Sequence, residues 1–323
     1  MYLSQLKDGG VLCRESATAY RVNDAETTYA LAQEAISSGL DMRSVIDRHG
    51  LGEPVDLAAL AAAGMLDCPI RHPDSAHMFL TGTGLTHLGS ASARDAMHSS
   101  ESSDGLSDSM KMFRMGIEGG KPAPGDVGVQ PEWFYKGTGS AAVAPGDDLV
   151  SPNFALDGSE EPEIAGIYVI GADRVPYRIG FAVANEFSDH VTERINYLYL
   201  AHSKLRQASF GPEILLGELP QDIRGTSRIM RGEAVVWEKE FLSGEDNMSH
   251  TFANLEHHHF KYQLFCEPGD LHVHMFGTAT LSFADNIRVL PGDVIEVDAP
   301  QLGMALRNTV AQEAPRQSEV RVL

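Results

Sequence analysis

Glu161-Pro162-Glu163-Ile164-Ala165-Gly166-Ile167-Tyr168-Val169-Ile170, followed by Ile179-Gly180-Phe181-Ala182-Val183-Ala184-Asn185-Glu186-Phe187-Ser188-Asp189-His190, is the stretch whose reading decides the fold. Residues 164–170 and 179–184 are apolar runs rich in β-branched side chains and of strand length, so they predict two strands. Glu161 and Glu163 stand at the start of the first run and Glu186 just past the second. Side chains two apart on an extended chain point to one face. Two carboxylates held that close repel unless a proton or a cation lies between them. With Glu186 added, the trio offers the all-oxygen site that a hard divalent ion prefers, Mg²⁺ first, with Mn²⁺ or Ca²⁺ as substitutes. The competing reading is that acidic side chains at strand ends simply face water, as many must in a chain with 45 Asp and Glu.

Working outward, composition narrows the partners. A net charge of −20 over 323 residues disfavours nucleic acid, whose affinity rests on Lys and Arg neutralising phosphates. It equally disfavours anionic membranes. No apolar run approaches the ~20 residues of a membrane span, and the N-terminus lacks the basic-then-apolar plan of a signal peptide. The expectation is a cytoplasmic protein. Cys13, Cys68 and Cys266 show no paired spacing and read as reduced, structural thiols.

Along the chain, residues 11–22 suggest a strand pair. Asn23 or Asp24 is the expected cap of a helix reaching Ser38 and stopped by Gly39; further helices fit 42–49 and 56–63. Together they predict a small α-rich N-terminal domain over 1–75, followed by a catalytic domain over 76–323. The tract at 92–112, rich in Ser and Asp, reads as a surface loop or a lid. The Gly82-x-Gly84 turn lacks the spacing of a dinucleotide fingerprint. Pro-Gly-Asp occurs at 145–147, 268–270 and 291–293, and each reads as a β-turn ahead of a strand. Val191, Arg194, Ile195, Leu198 and Tyr199 form a helical stripe over 188–205. Strands are expected at 271–283 and 289–297, and a turn at 303–310.

Trp133-Phe134-Tyr135-Lys136, Glu161-x-Glu163, Asn185-Glu186-Phe187-Ser188-Asp189, Gly211-Pro212-Glu213, Gly277-Thr278 and Pro291-Gly292-Asp293, in this order, resemble the fumarylacetoacetate hydrolase superfamily over residues 76–312. The run from Asn185 to His190, with Ser203-Lys204-Leu205-Arg206, is most similar to its sugar-acid branch, that of the 2-keto-3-deoxy-pentonate dehydratases. The resemblance implies an α+β fold with a mixed β-roll catalytic domain, a Mg²⁺ ion and a homodimer. It makes Glu161, Glu163 and Glu186 the metal ligands, with Glu186 where most members carry Asp. Lys204 matches a lysine near the substrate, and Thr278, beside Gly277, a threonine on the substrate carboxylate. One departure concerns the hydrolases: they place a catalytic His after the first strand, where this chain reads Thr86-His87-Leu88-Gly89-Ser90.

These parts suggest a chemistry. A divalent ion chelating a 2-keto acid polarises the carbonyl, stabilises an enolate and acidifies the C3 proton. Lys204 is the expected base, its pKa depressed by burial or by the ion. His190 and Asp189 are expected to orient the site, and Arg206, Arg114 and Lys136 to meet the acid's negative charge. His257-His258-His259 and His272-x-His274 could suggest zinc, but they lack soft ligands nearby and read as packing. The function expected is dehydration of a 2-keto-3-deoxy sugar acid. A hydrolase of acylpyruvate-like C–C bonds and a non-catalytic sugar-acid binder are the alternatives.

Overall fold

The two apolar runs beside the glutamates pair as an antiparallel hairpin, and the rest of the sheet grows from it. The structure, a computed structural model, describes residues 1–90 and 107–323. Its N-terminal strands are β1 (Tyr2–Gln5), β2 (Val11–Arg14), β3 (Ala19–Val22), β4 (Leu51–Val55) and β5 (Met78–Gly82). Then come β6 (Phe134–Thr138), β7 (Ala142–Val143), β8 (Leu149–Ser151), β9 (Pro162–Ile170), β10 (Pro176–Asn185), β11 (Ala208–Phe210) and β12 (Ile214–Leu216). The last five are β13 (Ile223–Arg231), β14 (Ala234–Ser243), β15 (Leu271–Met275), β16 (Val294–Asp298) and β17 (Leu306–Gln312). Helices are α1 (Thr28–Ser38), α2 (Met42–His49), α3 (Leu57–Ala62), α4 (Asp108–Gly119), α5 (His190–Ile195), α6 (Leu200–Lys204) and α7 (Phe252–Phe260).

One mixed sheet runs β4-β3-β2-β1-β12-β10-β9-β15-β5-β6, with β11 and β7 branching from β10. A second runs β14-β13-β16-β17-β8. Every residue of β9 is buried, because Ile164 packs into the core shared with the second sheet while Ala165, Ile167 and Val169 pack into the core on the opposite face. A strand covered on both faces reads as a continuous apolar run rather than an alternating one. The architecture is the α+β, mixed-sheet class expected.

The three Pro-Gly-Asp turns close as expected: Asp147, Asp270 and Asp293 N–H groups donate to the carbonyls of Ala144, Glu267 and Leu290 at 3.1, 3.1 and 3.0 Å. Their glycines take φ of 88°, 93° and 91°, which only glycine adopts without strain. Other local expectations are corrected. Thr27, not Asn23 or Asp24, caps α1, its side chain accepting from the N–H of Ala30. The N-terminal region holds the helices expected, α1, α2 and α3, and also contributes four strands to the large sheet, where β1 pairs with β12, so the sheet continues across position 75. Residues 306–312 form β17 rather than a turn, and 276–283 leave the sheet after β15. The polar tract at 92–112 lies mostly outside the described residues, and its end is helix α4.

The stripe at 188–205 is not one helix. Asn196 is extended, and its side chain accepts from the N–H of Leu198 at 2.9 Å, so α5 ends there and a short 3₁₀ turn leads into α6. Asparagine competes for backbone donors in this way inside helices. The stripe faces outward: Ile195 and Leu198 are 61% and 80% exposed.

Candidate active site

Hairpin register assembles the trio. Glu163 pairs with Ala184, Pro162 with Asn185, and the Glu186 N–H donates to the Glu161 carbonyl at 3.0 Å. The three carboxylates, all buried, each offer an oxygen within 4.8 Å of the others. Among the described residues this is the one such group close enough to hold a metal ion.

Cations and donors from other elements surround it. The Lys204 ammonium, at the end of α6, donates to Glu161 and to Glu186 Oε2, the latter at 3.0 Å, and lies 4.9 Å from the centre of the Phe134 ring. His190, opening α5, meets Glu161 through Nε2 at 3.0 Å and Ser159 through Nδ1 at 2.7 Å. The Gly277 N–H donates to Glu163 Oε2 at 2.6 Å. A side chain at Gly277, whose φ is 87°, would collide with the Thr83 carbonyl and the Thr86 hydroxyl at 2.6 Å, so this close approach requires glycine.

Electrostatically the site calls for more positive charge. Burial, then the charges of Glu186 and Glu161, hold the Glu163 carboxyl well above its ordinary pKa, and its Oε1 is buried with no hydrogen-bond partner. Burial raises Glu186 as well. Three hard oxygen donors, one oxygen of them unpaired, suit a divalent ion such as Mg²⁺. His190 is raised too, but toward its charged form: burial opposes its charge, yet Asp157 and Glu161 lift it to about 10, making it a fixed cation.

Lys204 corrects the sequence expectation. Burial alone would lower it, yet Glu161, Glu186 and Glu193 outweigh burial and raise it, so it stands as an ammonium against the carboxylates. Gly277, Thr278, Glu161, His190 and Lys204 line one cavity with Thr83 and Leu281. Lys136 and Arg206, expected to meet the acid's charge, do not line it. Lys136 is fully buried and donates to Glu186 Oε1, the Phe187 carbonyl and the Lys204 carbonyl at 3.0, 2.5 and 3.1 Å. Arg206 pairs with Asp189 at 2.9 Å, and Asp189 caps α5 through the Thr192 N–H. These residues brace the site from behind. Arg114 is exposed on α4.

Both ring nitrogens of His87 are engaged, by Thr86 at 3.1 Å and Ser243 at 3.0 Å, and burial lowers its pKa to about 3. Of the other histidines singled out, His257 is exposed, His258 meets the Gly128 carbonyl at 3.0 Å, and His259, His272 and His274 pack as a buried chain. Trp133 donates to His259 Nδ1 at 3.2 Å, His259 Nε2 meets His272 Nδ1 at 3.1 Å, and His274 stacks on His259 with ring centres 4.3 Å apart. Glu193 escaped the sequence reading although it stands on the cavity wall, buried, three residues after His190. The spacing was the available signal, since residues three apart share a helix face.

No family profile and no curated protein sequence matches the chain. Solved structures do match. A 2-keto-3-deoxy-D-arabinonate dehydratase, complexed with magnesium and 2,5-dioxopentanoate, superposes with TM-score 0.71 at 18% identity, covering 98% of this chain and 100% of its own. A 5-carboxymethyl-2-hydroxymuconate delta-isomerase from Mycobacterium smegmatis gives 0.58 at 13%, covering 97% and 100%. A maleylpyruvate hydrolase from Sphingobium sp. SYK-6, in complex with manganese(II) and pyruvate, gives 0.58 at 14%, covering 97% and 100%. The chain shares the fold of these enzymes, which is the fold the motif resemblance implied.

Proposed function

We propose that this chain is a divalent-metal-dependent enzyme of the fumarylacetoacetate hydrolase superfamily that dehydrates a 2-keto-3-deoxy sugar acid of the pentonate kind. The observation that carries the reading is the buried trio Glu161, Glu163 and Glu186 with Lys204 bonded to two of its members, Glu161 and Lys204 lining the same cavity. The trio would hold the ion, with Mg²⁺ the best match and Mn²⁺ or Ca²⁺ as substitutes; when bound, it supplies the positive charge that makes the C3 proton of a 2-keto acid acidic.

The chain's own residues do the rest. In this reading Lys204 is the base at C3: with Glu161 and Glu186 committed to the ion, the charge that holds the Lys204 proton would be withdrawn and the ammonium could give that proton up to solvent before the acid binds. Thr278 and Gly277 line the same cavity, and a hydroxyl and a backbone there suit the carboxylate end of the acid. His190 fixes Glu161, and Lys136 fixes Glu186, so the acceptor oxygens are held before any ligand arrives. The hydrolytic alternative needs a histidine that activates water, and His87, with both nitrogens engaged, lends it no support.

The test is direct. Purified protein incubated with 2-keto-3-deoxy-pentonates and Mg²⁺ is expected to release water and form 2,5-dioxopentanoate, and removing the metal with chelator should stop it. Absence of turnover with every such acid would sink the proposal.

A further inference from the structure

We infer that Glu160 is a positioning residue of this site: it clamps the loop that carries Thr278 against the strand that carries the metal ligands, so that the carboxylate end of the acid meets a fixed donor. The inference rests on the reading of Thr278 in the proposed function and adds the residue that holds it in place. Glu160 does not line the cavity, yet it is fully buried, one residue before Glu161. Both of its carboxylate oxygens are engaged by one residue far along the chain. Oε1 accepts from the Ser282 N–H at 2.8 Å and Oε2 from the Ser282 hydroxyl at 2.7 Å. Hydrogen bonds to an ionised acceptor are roughly twice as strong as neutral ones, and a pair of them fixes direction as well as distance.

The loop that follows β15 is thereby pinned at both ends to one short stretch of chain. At its start the Phe276 N–H donates to the Ile164 carbonyl at 3.0 Å and the Gly277 N–H to Glu163. At its end Ser282 is forked onto Glu160, and Phe283 stacks on His190 with ring centres 5.2 Å apart. Between the pins, Thr278 and Leu281 stand on the cavity wall. The Thr278 hydroxyl oxygen accepts from the Thr280 N–H at 3.2 Å, which leaves its one proton to donate to an acceptor. A donor on a loop is only as well placed as the loop, and after Met275 no strand ladder holds this one. Glu160 and Glu163 supply the anchors, which ties placement of the acid's carboxylate to the same strand entrance that gathers the ion.

The test uses the full chain, with Mn²⁺ as the ion and pyruvate as the probe. Mn²⁺ affinity, and pyruvate affinity at saturating Mn²⁺, are measured for Glu160→Ala, Glu160→Gln, Thr278→Val and the double variant of Glu160→Ala with Thr278→Val. Glu160→Ala is expected to bind pyruvate about tenfold more weakly with Mn²⁺ affinity unchanged, whereas a general structural defect would lower both. Glutamine can take the Ser282 N–H on its carbonyl and offer its amide to the Ser282 oxygen, so Glu160→Gln should recover most of the affinity. Because Glu160 acts through Thr278, the double variant should bind pyruvate no worse than Thr278→Val alone. Wild-type pyruvate affinity in Glu160→Ala overturns the assignment, as do losses that add in the double variant. So does weakened Mn²⁺ binding in Glu160→Gln, which would place the Glu160 charge in the service of the ion rather than the loop. If Glu160→Ala does not fold, Ser282→Ala removes one of the two bonds and is read by the same criteria. Dehydration by the wild type is scored separately: its absence overturns the dehydratase reading, while the pyruvate series still decides Glu160.

Discussion

Glu163 is where the unmet charge of the site concentrates. One of its oxygens accepts from Gly277, the other has no partner, and its neighbours Glu161 and Glu186 hold it above its ordinary pKa. Replacing it with the neutral isostere removes repulsion and a ligand together. Glu163→Gln is therefore expected to raise the thermal midpoint of the metal-free protein while weakening divalent binding about tenfold or more. Calorimetry in EDTA and in Mn²⁺ reads both effects, and a lower midpoint in EDTA would contradict the account. Because a raised carboxyl must lose its proton before it can ligate, Mn²⁺ affinity should climb with pH and fall in acid, with protons released on binding. At this scale the sequence was informative where chemistry is written in local spacing. Glu161-x-Glu163 needed only an extended backbone to be read as a pair. Lys136 and Arg206 were misread because a charged side chain is assigned to solvent or ligand by default, and only tertiary packing shows it turned inward.

Lys136 also joins elements. From β6 it reaches the segment after β10 and the last turn of α6, tying Glu186, the Phe187 carbonyl and the Lys204 carbonyl together. Lys136→Met would leave a carboxylate and two carbonyls buried without this donor. Breaking a buried ion pair from one side costs ~3–5 kcal/mol, so urea unfolding should show a loss of that order, partly recovered by Mg²⁺. A variant as stable as wild type would show that Glu186 finds another partner. Element reading succeeded where turn chemistry dictates shape, as at the three Pro-Gly-Asp corners. It failed at 188–205 because hydrophobic spacing continued through Asn196, whose side chain ended the helix by capping the next turn.

Across the whole molecule, acid stability is set by histidines buried as neutral rings. Burial lowers His87 and His274 to about 3 and His250 and His272 to about 4, from the ordinary 6.5. As pH falls below 6.5 the unfolded chain gains protons that these rings refuse in the fold, so stability declines. Each contributes about 1.4 kcal/mol per pH unit between its two pKa values. Glu160, raised by burial to about 7, opposes them, as do the raised Glu163 and Glu186, since each takes up its proton in the fold first. Urea midpoints should therefore fall from pH 6.5 to 4.5, where the unfolded histidines take up protons, and a flat profile there would contradict the neutral assignment. The sequence suggested packing for His259, His272 and His274, but not how far burial lowers them, because that depends on contacts far apart in the chain, as when Trp133 reaches His259.

The pairing of β1 with β12 has a practical side for anyone trimming the chain. Tyr2 and Leu3 cover Leu215 and Ile214, and Arg14 forks onto Glu213 through two bonds of 2.8 Å. Cutting away residues 1–75 would bare a raw sheet edge, with unclaimed amides inviting a foreign strand. The shortened protein should elute from size exclusion as aggregates, and a clean monomer would mean that the removed segment was only a passenger.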